Sequence, residues 1–469
     1  MTFDHDNSTF FINTLECFYA NTRAFTLILI AVFMCIHAAE SRPKVHSFDV
    51  FDTVLGRIHT DPLSVFRKVE QEYPYPGFTR ARILAEKTSN GTLEDVYQNF
   101  ISQKKISAEV GAKLRAFEIA TEKKYIFPIM QNFRKIQDGD LLVSDTYYNH
   151  DELMEILQAA GVQKQIHLYA TSGGKSSGKI WPLLKNKYKI QSHIGDNRHS
   201  DVKSPAKYKI KGTFFKEASF SEIETTVRKK GHIDLANLMR TLRLLNPYEP
   251  KSSHWKVWNE QAQLNVPILI LGSLELNKFC ITHKKKSLLF SARGCCHFMK
   301  IFSNLFPEYQ STYFHTSRYI YINPTPEFIQ YVRSLYTQDS LIIDEHGSGA
   351  SCQEFFNKQF HTSANYISLV RSMGPMPYLA KAFGVRIEVL NFDRIGSLIS
   401  FNKDGPIRNP LEYKLEDVLP AHECIDKCLD LLQYYELKKP DKKTLHALLK
   451  KTQHTHLELR KRYVLFHKK

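Results

Sequence analysis

Lys44-Val-His-Ser-Phe-Asp-Val-Phe-Asp-Thr-Val-Leu55 decides how the first half of this chain is read. Val45, Ser47 and Phe48 form a short β-prone run that leads into Asp49 and then stops at the polar pair Asp52 and Thr53. A buried parallel strand that ends in carboxylates places them at the carboxyl edge of its sheet, where open α/β folds bind ligands. The stretch therefore predicts a site as well as a strand.

Two later stretches repeat the arrangement. Asp140-Leu-Leu-Val-Ser-Asp-Thr146 is an apolar run ending in Ser144 and Asp145, and Gln191-Ser-His-Ile-Gly-Asp-Asn-Arg-His-Ser-Asp201 ends in a Gly-Asp step with a second Asp five residues on. Between them, Lys175-Ser-Ser-Gly-Lys-Ile-Trp181 sets a lysine at the mouth of an amphipathic helix. Taken in order, Asp49, Ser144, Lys175, Asp196 and Asp201 resemble the four motifs of the haloacid dehalogenase-like (HAD) superfamily. Any one of them alone is an ordinary turn or helix cap; four in order are specific.

The resemblance implies a Rossmann-like core in an α/β fold. Asp49 would be a carboxylate nucleophile that forms an aspartyl-phosphate. Ser144 and Lys175 would hold the phosphoryl oxygens. Mg²⁺ would be held by Asp49, the backbone carbonyl of Phe51, Asp196 and Asp201. The family's phosphatases place a second Asp two residues after the nucleophile to protonate the leaving group, and here that position is Phe51. Asp52 comes one residue later, followed by Thr53, and a turn would have to re-aim it. The pattern is similar to a bacterial-type subgroup reading FD-x-FDT. Dehalogenases of the superfamily also carry an aromatic residue at this position, so a halide-displacing hydrolase is the alternative reading. A catalytically inactive phosphosugar- or nucleotide-binding protein is another.

From Asp61 to Asp138 the pattern turns helical. Val65 and Val69, Ile83 and Leu84, Val96, Tyr97 and Phe100, then Leu114, Phe117 and Ile119 recur at three- and four-residue steps. An insertion here matches the helical cap of HAD enzymes, which closes over the site, excludes water and governs substrate choice. Arg80, Arg82 and Glu86 are candidates for that choice, against a plain surface ion pair of Arg82 with Glu86. The HAD-like domain is read as residues 44–230 with its cap at about 61–138, a Pro- and Ser-bearing linker as 246–254, and a second α/β domain as 255–404.

That second half has its own strand-loop series. Ser287-Leu-Leu-Phe-Ser-Ala-Arg-Gly294 is a strand running into Arg293 and Gly294, and Thr312-Tyr-Phe-His-Thr-Ser-Arg318 ends in Arg318. Ser340-Leu-Ile-Ile-Asp-Glu-His-Gly-Ser-Gly-Ala-Ser351 is an apolar strand, an acid pair and a Gly/Ser loop that opens a helix at Cys352. The series resembles the phosphoribosyltransferase signature. It departs from it with Glu345 for the second Asp, Ser for both Thr and a loop one residue shorter. Asp344, Glu345, Gly347, Ser348, Gly349 and Ser351, with Arg293, Gly294 and Arg318, would bind a nucleotide or phosphoribosyl ligand, the loop amides cradling phosphate. Arg386–Leu390 and Gly396–Phe401 alternate like paired strands, with Asn402–Gly405 as a turn.

The remaining features set limits. The 469 residues are 43% apolar and 24% charged, globular material enough for two to three domains. Adjacent Cys295 and Cys296, and Cys424 with Cys428 one helical turn on, lack a matching second pair at metal-ligand spacing and read as reduced thiols. The formal charge of +16 is uneven: from Lys438 onward eleven Lys or Arg face only Asp441 and Glu458. Leu445, Leu448, Leu449, Leu457 and Leu459 are interleaved with them and no aromatic stacking series appears, so residues 405–469 read as a helical region with a solvated basic face and nucleic acid is not expected. In the N-terminal segment 1–43, the apolar run Phe25–Ala39 is shorter than the ~20 residues of a membrane span. Its flank carries Asp4, Asp6 and Glu16 against Arg23, the wrong sign for a secretory leader. A buried helix, a membrane contact through residues 25–39 and export all stay open, with a cytoplasmic body expected.

Overall fold

The computed structural model describes residues 42–73, 75–371, 376–381, 387–437 and 439–452. The apolar run 25–39 and the chain end 453–469 lie outside the described residues. The described chain divides into two compact units. One comprises residues 42–50, 136–150 and 164–215; the other comprises 51–135, 151–163 and 216–452. Both are mixed α/β, and each contains a five-stranded sheet in which every pairing is parallel.

The first unit is built on strands β1 (Lys44–Phe48), β2 (Leu141–Asp145), β3 (His167–Thr171), β4 (Lys189–Gly195) and β5 (Gly212–Phe214). Their order is β3-β2-β1-β4-β5. The chain steps outward from β1 to β3 and then returns to the other side of β1, so the topology reverses between β1 and β4. Val45, Leu141 and Val143 pack with Ile180, Trp181 and Leu184 of the helix Ile180–Lys187 and with Ile210. Each such side chain contributes ~1.5–3 kcal/mol on burial, which pins the register of β1 against β2. That register leaves Asp49 just past the carboxyl end of β1 and Asp196 just past that of β4.

In the second unit, the predicted insertion is four helices, α1 (Leu63–Glu72), α2 (Phe78–Lys87), α3 (Leu93–Lys104) and α4 (Ala108–Lys124). An antiparallel ribbon of Leu55–Arg57 with Ile126–Pro128 closes their base. Thr92 caps α3 and Ser107 caps α4 by accepting from the amides of Asp95 and Val110. Val65, Val69, Val96, Tyr97, Phe100 and Leu114 are buried as the periodicity predicts.

Helix α2 departs from the expected phase. Its buried face is Phe78, Ala81, Arg82 and Ala85, while Leu84 is 54% exposed. Arg82 takes a core position because Glu118 on α4 meets it through two bonds, Nε to Oε2 at 2.8 Å and Nη2 to Oε1 at 2.9 Å, and the Tyr97 hydroxyl donates to the same carboxylate at 2.8 Å. The expected surface pair with Glu86 does exist, at 2.8 Å, but it is the outer edge of a buried network. Arg82→Ala should therefore destabilise the chain by ~3–5 kcal/mol, the loss seen when one member of a buried ion pair is removed. Arg82→Met with Glu118→Leu should recover most of it, as read by chemical denaturation; equal losses in single and double variants would mean that only side-chain volume matters.

The second sheet holds β6 (Ser287–Ser291), β7 (Gln310–Phe314), β8 (Ser340–His346), β9 (Tyr366–Arg371) and β10 (Tyr378–Lys381) in the order β10-β9-β8-β6-β7. Its reversal lies between β6 and β8. On one side Leu289, Phe314, Ile342 and Tyr366 pack with Phe328, Phe355 and Phe356. The helical run Ser253–Thr282 is long and apolar enough to cross a membrane, and 78% of its most apolar window is buried in the protein. Gly272 in this run has no room for a methyl group, since a Cβ would sit 2.4 Å from Leu369 of β9. The stretch expected as a strand before Leu390 is a 3-10 turn at Ile387–Leu390, with Arg386 outside the described residues. Leu398–Asn402 instead pairs with Gly405–Arg408 across the predicted turn. In the basic tail, a helix over 442–452 buries Leu445, Leu448 and Leu449 and leaves Lys442, Lys443, Lys450 and Lys451 exposed, the arrangement of a solvated basic face.

Candidate functional site

At the reversal point of the first sheet, the strand ends and two loops bring the charged residues together. The Asp49 amide donates to the Ile194 carbonyl at 2.8 Å, which fixes the backbone leaving β1 against β4. The loop after β3 returns Lys175, whose Nζ bonds Asp49 Oδ1 and lies 2.8 Å from Asp201 Oδ1. The loop is held by Asp145, which accepts from the amides of Lys175 at 2.9 Å and Ser176 at 2.8 Å and from the Thr171 hydroxyl. Those bonds outweigh the effect of burial and keep the Asp145 carboxyl below its ordinary range. Ser144, one residue earlier, is buried at the end of β2.

Asp201 arrives on a π-helical turn, Arg198–Lys203, whose first amides are capped by the Asn197 side chain. Its Oδ2 accepts from the Asn197 amide at 2.8 Å and its Oδ1 from His193 Nε2 at 3.1 Å. The other nitrogen of His193 meets the Ser47 hydroxyl at 2.9 Å. Gly195 is required by this packing, because a Cβ there would fall 2.2 Å from the Asp201 carboxyl carbon. One oxygen from each of Asp49, Asp196 and Asp201 lies within 4.8 Å of the others.

The electrostatics follow from one lysine between two buried carboxylates. Burial raises Asp49 above the usual carboxylate range; Lys175 opposes this and Asp201 adds to it. Burial also acts on Asp201, but the His193 hydrogen bond and the Lys175 charge bring it down to about 2. Lys175 is raised despite its burial, because both carboxylates face it. With Asp196 at its edge the cluster has an excess of carboxylate oxygen, a donor set suited to a hard divalent cation that keeps part of its water. The residues therefore fit Mg²⁺.

Asp52, Thr53 and Phe51 belong to the second unit. Asp52 adopts a left-handed conformation at φ 55° and its amide donates to the Leu55 carbonyl at 2.7 Å, so the strand is turned rather than continued. Its Oδ1 accepts from Arg240 Nη2 at 2.7 Å, and Arg240, fully buried on the helix Ile233–Leu244, also donates to the Ala218 carbonyl at 2.6 Å. This ion pair gives Asp52 a structural partner that the sequence does not reveal. Thr53 is buried, its carbonyl accepting from Asn132 at 3.1 Å. The Phe51 ring lies under the Arg57 guanidinium at 4.2 Å.

The second sheet carries a separate pair of clefts at its own reversal point, of about 290 and 440 Å³. Ala292, Thr316, Ser317, Asp344 and His346 line both. Arg293, Gly294 and Glu345 line the smaller cleft; Arg318, Gly347, Ser348, Gly349 and Ser351 line the larger. The nine candidate residues, drawn from three separate segments of the chain, thus converge on one region. Gly349 has φ 69° and begins the helix Ala350–Phe360, and a Cβ there would fall 2.8 Å from the Tyr366 ring. Burial raises Asp344, partly offset by the Tyr366 hydroxyl at 2.9 Å, and raises Glu345 well above its ordinary range with repulsion from Glu388. Glu345 Oε1 accepts from Asn391, while Oε2 and Arg293 Nη1 are buried with no hydrogen-bond partner.

No protein-family model matches the chain, and no curated protein matches it. The residues that sequence reasoning misses are His193, Asp145 and Arg240 in and around the carboxylate motifs, and Tyr366, Glu388 and Asn391 around the clefts. Only Asp145 carries a signal, standing beside Ser144 at the end of an apolar run.

Proposed function

We propose that this chain is a Mg²⁺-dependent hydrolase of the HAD type that cleaves a small phosphomonoester through an aspartyl-phosphate at Asp49. The observation that carries the reading is the meeting of Asp49, Lys175 and Asp201 at the reversal point of a parallel sheet, with Asp196 in reach. An Asp49 oxygen forms a bond to phosphorus as the ester P–O bond breaks, and water then releases phosphate and restores the carboxylate. Lys175 meets the phosphoryl charge while Ser144 offers a hydroxyl from the neighbouring strand end. Asp145 acts through the Lys175 loop and His193 through Asp201, so both are positioning residues. Asp49 and Asp196 would hold Mg²⁺, with Asp201, whose oxygens already accept from His193, Lys175 and Asn197, steadying the lysine. When bound, Mg²⁺ supplies charge neutralisation for the phosphoryl group.

Protonation of the leaving group is the step for which the chain offers least. Phe51 stands where the acid is expected, and Asp52 is ion-paired with Arg240. Substrates whose leaving group needs no proton are therefore favoured, which also keeps halide displacement as the second reading. Aryl phosphates should be hydrolysed ~10²–10⁴-fold faster than alkyl phosphates, the usual worth of general acid catalysis. Phosphate release across such a series, with and without Mg²⁺, tests this; equal rates for both classes would require an acid in place. Metal-independent turnover of a 2-haloacid would replace the phosphatase reading.

The second domain we read as a phosphoribosyltransferase-like binding module for a nucleotide or phosphosugar, supported by the nine residues around the two clefts. Arg293→Ala should weaken such a ligand by ~1.5–3 kcal/mol, the worth of a charged hydrogen bond. Gly349→Val should abolish binding, because the side chain would enter the Tyr366 ring and oppose the positive φ. Calorimetry of the whole chain against phosphoribosyl diphosphate and nucleoside monophosphates measures both; no heat with either ligand would leave the loop as a plain turn.

A further inference from the structure

His297 is, with Gln261, one of two side chains among the described residues that bury two polar atoms without a hydrogen-bond partner. It is completely buried on the helix Cys296–Leu305, and neither ring nitrogen has a hydrogen-bond partner. A buried polar group left unpaired is destabilising, so two on one imidazole are a standing cost unless a ligand meets them. Cys296 precedes it and is also buried. From far along the chain the helix Leu415–Leu432 brings His422, 3% exposed, with the two imidazole centroids 4.4 Å apart. One ligand atom from each of Cys296, His297 and His422 lies within 4.8 Å of the other two.

The surroundings prepare one of the three donors. His422 Nε2 is 2.9 Å from the Phe392 carbonyl, so this nitrogen carries the hydrogen and Nδ1 keeps its lone pair. That is how a protein orients a metal-ligating histidine, through a carbonyl on the far ring nitrogen. Cys296 Sγ now faces the Asn391 carbonyl at 3.6 Å, and ligation would release its proton to solvent.

We propose that Cys296, His297 and His422 form a transition-metal site of the zinc type. A thiolate and two imidazoles suit Zn²⁺ and exclude Mg²⁺ and Ca²⁺, which prefer oxygen. Tetrahedral bonds of ~2.0–2.3 Å put ligand atoms about 3.3–3.8 Å apart, so a small inward movement of the three side chains suffices. Three protein ligands leave the fourth position for water or an outside ligand. The ion would tie the helices Cys296–Leu305 and Leu415–Leu432 to the segment at Asn391 and Phe392, which line the smaller cleft, and so brace its floor. The metal site does not rest on the proposed phosphatase chemistry.

The full chain, purified without chelator or metal-affinity resin, should contain about one zinc per chain by elemental analysis, as a three-ligand site predicts. After zinc removal, Co²⁺ should produce a near-ultraviolet thiolate-to-cobalt absorption band that the zinc form lacks. Cys296→Ser should remove the band and lower zinc retention at least ~10-fold, and His422→Gln should do the latter. Mg²⁺ at the carboxylate cluster produces no such band, so the two sites are told apart. Folded wild-type chain that holds no stoichiometric zinc and gives no cobalt–thiolate band would overturn the site, whether or not the variants fold. A band undiminished in Cys296→Ser would overturn it as well.

Discussion

Asp49→Asn should lower phosphate release by on the order of 10⁴–10⁶-fold, the range seen when a covalent nucleophile is removed, and leave the melting temperature close to that of the wild type. The amide keeps the shape of the carboxylate and can still accept from Lys175 through its oxygen, so the loop that carries Lys175 keeps its anchor. It also removes the repulsion between Asp49 and Asp201, which offsets the lost ion pair. A collapse in rate without a collapse in stability is therefore the signature of a nucleophile. Near-normal turnover, in protein shown by mass to be free of deamidated product, would exclude the aspartyl-phosphate. A large fall in melting temperature would instead assign Asp49 to the fold.

Strand ends are legible in this sequence because a β-prone run that halts at polar residues reads as a strand edge, as it does before Asp49 and at Ser144 and Asp145, while Asp196 is legible from its Gly-Asp step. Lys175 is legible only by its order among them. His193 is not, because it lies inside a strand, where a buried polar residue carries no periodic signal; only the fold reveals that it joins Ser47 to Asp201. Arg82 misleads for the complementary reason. A charged residue on an amphipathic helix reads as surface, and nothing local announces that Glu118, 36 residues away, will neutralise it. Asp52 and Arg240 are 188 residues apart, and the same holds for them.

The clefts of the second sheet divide along the same line. The Gly/Ser loop after β8 is readable from its acid pair and glycines. The opposite wall, where Glu388 and Asn391 face Glu345, reads as a strand because Ile387, Val389 and Leu390 are β-prone. A 3-10 turn wins there because Asn391 is held between Glu345 and Asn265, and the long-range bonds outweigh a weak local preference. The cysteines illustrate a further limit: spacing within a sequence finds metal ligands only when they are neighbours, and Cys296 and His422 are not.

Lys175→Met should destabilise the chain by ~3–5 kcal/mol in the absence of divalent cations, because it strips the counter-charge from two buried carboxylates. Asp49 is 6% exposed and Asp201 fully buried, and Lys175 bonds both. Two like charges ~4 Å apart at an effective dielectric of about 20 repel by ~4 kcal/mol, so the size of the loss is set by electrostatics rather than by the methylenes, which methionine largely replaces. Phosphate release should fall as well, but the decisive quantity is the response to Mg²⁺. A cation bound at the carboxylates replaces part of the missing charge and binds more tightly once the lysine is gone, so saturating Mg²⁺ should raise the melting temperature of the variant more than that of the wild type. Calcium, a larger ion for the same oxygen donors, should substitute at least in part. A variant that is destabilised yet gains no more from Mg²⁺ than the wild type would show that the three carboxylates are a lysine cage and not a metal site. A variant as stable as the wild type without metal would show that Asp49 takes up a proton when its partner is removed, as its burial and the nearby Asp201 would permit.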